Sequence, residues 1–173
     1  MDLAELVAAI EEARTRFLGT IEQFDDTTAR APIGPDRWSP LEYLEHLVRA
    51  EEATVWRMFK AVEDARAERE IVVSPTPACS IEEIVDRTWR GNVDTPPLAI
   101  PELGASTHYW SARMRRNAML VRAFADTVAE PELDGVAYLH PISGPFTMRQ
   151  GLEFIRFHLD RHRAHLAPRL GDV

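Results

Sequence analysis

Cysteine is nearly absent from the sequence, and this limits what the chain can build. The single Cys79 among 173 residues cannot form an internal disulfide bond, and no second cysteine is present for a thiolate zinc site. Any metal site must therefore use histidine or carboxylate ligands. Cys79 also has no base beside it in the sequence, so we expect no nucleophilic role for it.

Long apolar runs and an excess of positive charge are also missing. No apolar run approaches the roughly 18 to 20 residues of a membrane span, and the acidic N-terminus lacks a signal-peptide core. The 20 basic and 28 acidic side chains give a net charge of −8, which argues against a nucleic-acid surface. The cluster Arg113, Arg115 and Arg116 lies in a periodic segment and is typical of a solvated helix face. We therefore expect a cytoplasmic protein that binds neither membranes nor nucleic acid.

Apolar residues at three- and four-residue spacing are abundant, and this spacing is typical of amphipathic helices. A first long helix is predicted within the first thirty residues, and it must end by the Pro32–Pro35 stretch. A second helix starts at Ser39, where Pro40 and Glu42 complete a proline-containing capping box. The charged run 63–70 is predicted to be its exposed end.

Two further long helices are predicted in the second half of the chain. Apolar residues from Trp110 to Val128 mark the third, and the fourth starts at Thr147 with Gln150 as its capping partner. Residues 132–145 between them show no convincing strand alternation and are predicted to form a loop.

Residues 71–104 have the composition of a connection. Five prolines interrupt any long element there: Pro75, Pro77, Pro96, Pro97 and Pro101. A capping box at Ser80–Glu83 predicts one short helix that runs to Arg90 and stops at Gly91. We therefore expect an all-α fold in one domain over residues 1–173. It is a four-helix bundle with a long proline-rich crossover, containing a short helix, between helices two and three.

Three histidines share one face of the last helix. His158, His162 and His165 fall within about 60° of one another, on the side that carries apolar residues. A lone inward histidine is usually a core side chain with one hydrogen bond. Several buried histidines packed together leave acceptor nitrogens without a donor, at a free-energy cost of about 1 to 3 kcal/mol each. A divalent cation can bind all of these nitrogens at once. The spacing of His158 and His162 by four residues is that of a two-ligand clamp.

A third ligand must come from another helix, and periodicity leaves two candidates on helix two. Glu51 lies in the middle of the apolar stripe, which predicts an inward carboxylate. His46 lies nearly opposite, which alone predicts a surface position. His46 could still border a cleft, because the small residues Ala50 and Ala53 share its face.

An ordered set of short motifs resembles one known family. The motifs are Trp38-Ser39-Pro40 leading to His46-Leu47, His140-Pro141 with Gly144 and Thr147, and His158 followed by Arg161-His162. Together they span the chain and resemble the DinB-like, or YfiT-like, metal-binding four-helix bundle proteins. The proline-rich crossover matches no motif of that family, so the rim of the site and the substrate stay open.

The resemblance implies a ligand set. The matching positions are His46, His158 and His162. Glu51, which the apolar stripe places inward, is kept as the reserve ligand.

Other polar residues are candidates for supporting roles. Glu42 could orient His46, although its use in the capping box is favoured. His165 lies one turn beyond the histidine pair, and Arg161 either meets an anionic group or lies on the helix surface. We expect His140 to shape the loop before helix four and His108 to lie at the surface or rim.

The implied function is that of a metal-dependent enzyme. Three imidazoles leave a zinc, nickel or iron ion with an open coordination position, which lowers the pKa of a bound water or thiol. The resemblance implies either a hydrolase or a transferase that uses a low-molecular-weight thiol, with a small molecule as substrate in an interhelical cleft. It also implies a homodimer. The alternative is a non-catalytic bundle, either a small-ligand-binding protein or a dimeric stress-related protein.

Overall fold

The computed structural model describes residues 1–69, 79–90, 94–102 and 104–167 of the chain. Some predictions fall outside these residues. They are the helix breaks at Pro75, Pro77 and Gly91 and the last residue of the charged run 63–70. Within the described part, the α-helices in chain order are α1 Leu3–Ile21, α2 Pro40–Arg66, α3 Ile81–Thr88, α4 Thr107–Thr127, α5 Glu130–Gly135 and α6 Met148–Leu166. Short 3-10 turns occupy Thr28–Arg30 and Pro97–Ala99.

The four long helices form the predicted four-helix bundle. Helix α1 packs against α6 and α4, and α2 packs against the same two helices from the other side. The apolar stripes of all four meet in one core, in which Phe17, Met58, Trp110 and Phe124 are at most 1% exposed. Among the described residues, no helix combines the length and apolarity needed to cross a bilayer.

Capping boxes start the helices where the sequence predicts. The Ser39 hydroxyl accepts the Glu42 backbone N–H at 3.3 Å, and the Glu42 carboxylate accepts the Ser39 backbone N–H at 2.7 Å. Thr147 and Gln150 repeat this exchange at the start of α6. Such caps contribute about 1 kcal/mol each, and here they fix the starts of the two helices that carry the clustered histidines.

The predicted loop 132–145 is the main error in the fold prediction. Its first residues belong to α5, and an antiparallel hairpin follows, with strand β1 Ala137–His140 paired to strand β2 Gly144–Thr147. Gly144 has a φ of 80°, a backbone conformation that favours glycine at the end of the turn. The strands are too short for their alternation to be read from the sequence. The hairpin places His140 beside α2 and α6.

Candidate metal centre

Three histidines meet at the contact between α2 and α6. His46 comes from α2, and His158 and His162 lie one turn apart on α6; all three are buried. The Nε2 atom of His158 lies 3.2 Å from Nε2 of His46 and 2.9 Å from Nε2 of His162. The structure therefore brings together the three residues that the resemblance implies, with their ligand atoms within 4.8 Å of one another.

A backbone carbonyl fixes the protonation pattern of His46. Its Nδ1 lies 2.8 Å from the carbonyl oxygen of Ala99, which can only accept, so Nδ1 carries the proton. In a neutral ring the other nitrogen then carries a lone pair. Nε2 of His46 thus faces the other two imidazoles as an acceptor.

Hydrogen bonds alone cannot satisfy this cluster. His158 Nε2 touches two nitrogens, and if protonated it can donate to only one of them. If it is unprotonated, it opposes the lone pair of His46. One close nitrogen pair therefore always lacks a bridging proton, a cost of about 1 to 3 kcal/mol in a buried site.

Burial keeps the imidazoles neutral. It lowers the pKa of His46 to about 4, against a smaller opposing effect of the hydrogen bond to Ala99. Burial also lowers the pKa values of His158 and His162 well below the usual value, and repulsion from the neighbouring histidines, were they protonated, and from Arg161 lowers them further. At neutral pH a proton is therefore a poor partner for these nitrogens.

A divalent cation fits the donor set. Zinc–imidazole bonds of about 2.0 to 2.1 Å place two tetrahedral nitrogen ligands about 3.3 Å apart. The observed separations of 3.2 and 2.9 Å are close to that value, and three inward lone pairs are what such an ion requires. Three protein ligands leave one position for water or substrate.

A cavity of about 200 Å³ opens onto the three histidines. Its walls are mainly apolar, with Trp38, Trp89 and Phe154 among them. Ala50 and Ala53 lie along its α2 side, so the small-residue face does border a cleft, as the sequence allows. The stretch 94–99 of the proline-rich crossover forms part of the rim for which the sequence offered no motif.

Glu51, the reserve ligand, lies outside the histidine cluster. It is buried as its position on the apolar stripe predicts, but both carboxylate oxygens accept from the guanidinium of Arg14, at 2.8 and 2.7 Å. Asn117 donates to the same carboxylate at 3.4 Å. The structure thus places Glu51 in a buried ion pair. The surface position that the helix wheel predicts for His46 is wrong, because His46 is buried in the cluster.

The candidates for supporting roles divide into two groups. Glu42 is used by the cap of α2, and the contact that orients His46 comes from Ala99 instead. His165 and Arg161 do line the cavity. The His165 ring lies 5.2 Å from that of His162, and the Arg161 guanidinium lies 5.3 Å from the centre of the Trp89 ring.

The other two histidines lie where the sequence predicts. His140 shapes the hairpin turn, because its Nδ1 accepts the backbone N–H groups of Ile142 and Ser143 at 3.3 and 3.1 Å. Burial lowers the pKa of His140 to about 4, and the nearby Arg57 lowers it further. His108 is exposed, and Cys79 is partly buried outside the cavity lining.

Sequence reasoning missed two arginines. Arg14 is only 3% exposed, because α4 covers that side of α1 and the Met114 carbonyl of α4 accepts from Arg14. Arg57 lines the cavity. Its spacing of eleven residues from His46, about three helical turns, places both on one face of α2, but the sequence did not mark Arg57 as a site residue.

Solved structures share this fold at low sequence identity. TT2238, a four-helix bundle protein, is 16% identical with a TM-score of 0.63, and the match covers 96% of this chain and 99% of that one. A conserved protein from Enterococcus faecalis is 15% identical with a TM-score of 0.60, covering 96% and 94%. The colibactin self-resistance protein ClbS, solved in complex with a dsDNA, is 15% identical with a TM-score of 0.57, covering 96% and 93%. At such identities the likeness shows the fold alone.

Family membership rests on a separate comparison. Among curated proteins, none matches the sequence. The sequence model of the DinB superfamily, however, matches residues 9–166, a range that includes all four long helices and the three clustered histidines. Because that match extends over most of its length, the chain belongs to the DinB superfamily.

Proposed function

We propose that His46, His158 and His162 bind one divalent metal ion through Nε2, and that the protein is a metal-dependent enzyme acting on a small molecule in the adjoining cavity. The observation that carries this proposal is the convergence of three buried imidazole nitrogens that no arrangement of protons satisfies. When bound, a divalent ion supplies Lewis acidity and lowers the pKa of a water or thiol that it coordinates.

The chain's own residues prepare the site for such chemistry. The Ala99 carbonyl holds the proton on His46 Nδ1 and directs the Nε2 lone pair inward. The low pKa values of the three imidazoles keep them available as ligands. The walls around Trp89 and Phe154 are apolar, and such low-polarity surroundings strengthen electrostatic interactions next to the cluster.

Two reaction classes fit this arrangement. One is hydrolysis by an activated water, and the other is transfer of a low-molecular-weight thiol to an electrophilic carbon. Both need an open coordination position beside a cavity and no other activated nucleophile. The net charge of −8 and a cavity of about 200 Å³ favour a small molecule over a nucleic acid as the substrate.

Elemental analysis of protein purified without a histidine tag tests the metal site. Wild type should carry about one divalent ion per chain, and His46→Ala and His158→Ala should lose it. His108→Ala is the matched control, because this exposed histidine lies away from the cavity and its loss should leave the metal content unchanged. Wild-type protein that stays metal-free after incubation with zinc or nickel would contradict the proposal.

Activity screens then separate an enzyme from a binding protein. Metal-loaded protein is tested for ester and amide hydrolysis and for conjugation of small thiols to electrophiles. Turnover that requires the metal and is lost in His158→Ala supports the enzyme. Tight retention of a ligand without any product supports the non-catalytic alternative.

A further inference from the structure

Two arginines of the cavity lack a carboxylate partner among the described residues. Arg57 is half-buried, and its guanidinium donates to the backbone carbonyl of Ala53 at 3.1 Å. Arg161 lies against the Trp89 ring. By contrast, the buried Arg14 of α1 is paired with Glu51.

The positions of the two arginines follow from helix geometry. Arg57 lies about three turns beyond His46 on α2, and Arg161 follows His158 by three residues on α6, so both share the cavity-facing sides of the ligand helices. Between His46 and Arg57, Ala50 and Ala53 leave the space open. The cavity that contains the three imidazoles is therefore also lined by both guanidinium groups.

The local charge of the cavity opposes that of the whole chain. Two arginines face it, against one exposed carboxylate, Asp94, among the lining residues. Arg57 is half-buried and Arg161 is exposed at the mouth of the cavity. A guanidinium without a counter-ion gains from an anionic ligand that brings its own acceptors, and a half-buried one gains most.

We propose that Arg57 and Arg161 form an anion subsite that selects small substrates carrying a carboxylate, phosphate or sulfonate group next to an apolar body. This inference deepens the proposed function, on which it rests for the reaction at the histidines. The anionic group binds the two guanidiniums, and the apolar body lies along Trp89 and Phe154. The cavity is smaller than the roughly 300 to 1,000 Å³ of drug-sized pockets, which limits the ligand to a compact molecule.

Matched probes test the subsite directly. Benzoate, phenyl phosphate and benzenesulfonate are titrated against the neutral benzamide by NMR, in both zinc-loaded and chelator-treated protein. In the chelator-treated protein no zinc can coordinate the anion, so any preference for the anion there comes from the protein's own side chains. Wild type should bind at least one of these anions about tenfold more tightly than benzamide, and the three anions together distinguish carboxylate from phosphate and sulfonate.

Variants assign that preference to the two arginines. Arg57→Gln combined with Arg161→Gln should reduce the preference for the anion to about onefold. Arg122→Gln, an exposed arginine of α4 outside the cavity lining, should keep it. Equal binding of all three anions and benzamide to wild type, or a preference unchanged in the double variant, would overturn the inference.

Metal content distinguishes this outcome from failure of the proposed function. The double variant should still carry about one ion per chain, because neither arginine belongs to the histidine cluster. A wild-type protein that prefers anions yet never binds metal would leave the subsite standing and remove the metal centre. A metal-loaded protein that shows no preference for anions would support the metal centre and overturn the anion subsite.

Discussion

At the scale of single residues, the ion pair of Arg14 and Glu51 is the most demanding feature of the core. Both side chains are at most 4% exposed, and two parallel hydrogen bonds join them. The Met114 carbonyl and the Asn117 amide add further contacts. A desolvated pair of this kind is strongly destabilising when only one partner is removed, because the other charge is left buried and alone.

We predict that Arg14→Met lowers the free energy of unfolding by about 3 to 5 kcal/mol. The double variant Arg14→Met with Glu51→Met should recover most of this loss, since it removes the isolated carboxylate as well. Arg16→Met is the control on the same helix. Arg16 is partly exposed and pairs with Asp160, so its replacement should cost at most about 1 kcal/mol. Urea unfolding followed by circular dichroism measures all three.

The buried His140 predicts a stability that depends on pH. Its folded pKa of about 4 lies below the usual value of 6.5, so the unfolded chain binds a proton that the folded chain does not. This contribution is fully present above pH 6.5 and is lost as the pH falls towards 4. From pH 7.5 to pH 5 the loss is about 2 kcal/mol.

Urea unfolding of the metal-free protein at pH 7.5 and pH 5 tests this expectation. His140→Gln should remove about 2 kcal/mol of the difference between the two pH values. His108→Gln, at an exposed position, should leave the difference unchanged. A pH dependence identical in wild type and His140→Gln would show that folding does not lower the pKa of His140.

At the scale of elements, the first turns of helix α2 are buried on several sides, so a helix wheel cannot predict which of their residues are exposed. Residues 43–48 are all buried, because α4, α6 and a 3-10 turn cover different sides of α2. A wheel assumes one buried face, so it placed Glu51 correctly and His46 wrongly. The order of short motifs identified His46 because it does not depend on which face is covered.

Local signals predicted the helix starts but not the hairpin. Capping boxes act between residues three apart, so Ser39, Ser80 and Thr147 are visible in the sequence. The hairpin 137–147 has four-residue strands, and its stability comes from packing on α2 and α6. The shape of the cavity rim likewise depends on tertiary contacts of a proline-rich segment, which no local pattern encodes.

The contact of α6 with α2 and the hairpin depends on a glycine. A Cβ at Gly151 would lie 2.8 Å from the Met58 sulfur and 2.9 Å from the Tyr138 ring. We predict that Gly151→Ala destabilises the protein by about 1 to 3 kcal/mol through overpacking. Gly19→Ala on α1 meets nothing within 4 Å and should instead stabilise it by about 0.5 to 1 kcal/mol through helix propensity. Chemical denaturation of both variants provides the comparison.

At the scale of the whole molecule, the proposed metal would join two of the four long helices. A ligand that binds only the folded chain raises its stability, by about 2.7 kcal/mol at a free concentration one hundred times the dissociation constant. For a chain of this size we predict an increase in melting temperature of about 5 to 10 °C when zinc is added to the metal-free protein. Thermal unfolding followed by circular dichroism measures it.

The histidine variants define the controls for this shift. His158→Ala should melt at the same temperature with and without zinc, whereas His108→Ala should show the full increase. If the wild-type melting temperature is the same with zinc and with chelator, the folded protein does not bind zinc, and the proposed metal site is contradicted.

The hydrogen bond from His46 to Ala99 bears on how such a protein can diverge. The acceptor is a main-chain carbonyl, which every amino acid supplies, so exchanging the side chain at position 99 leaves the imidazole orientation intact. Neighbouring rim residues such as Leu98 can also change without touching a ligand atom. Mutational drift in this rim can therefore retune substrate preference while the coordination chemistry stays constant, which makes the segment 94–99 the natural target for a library that seeks new specificities.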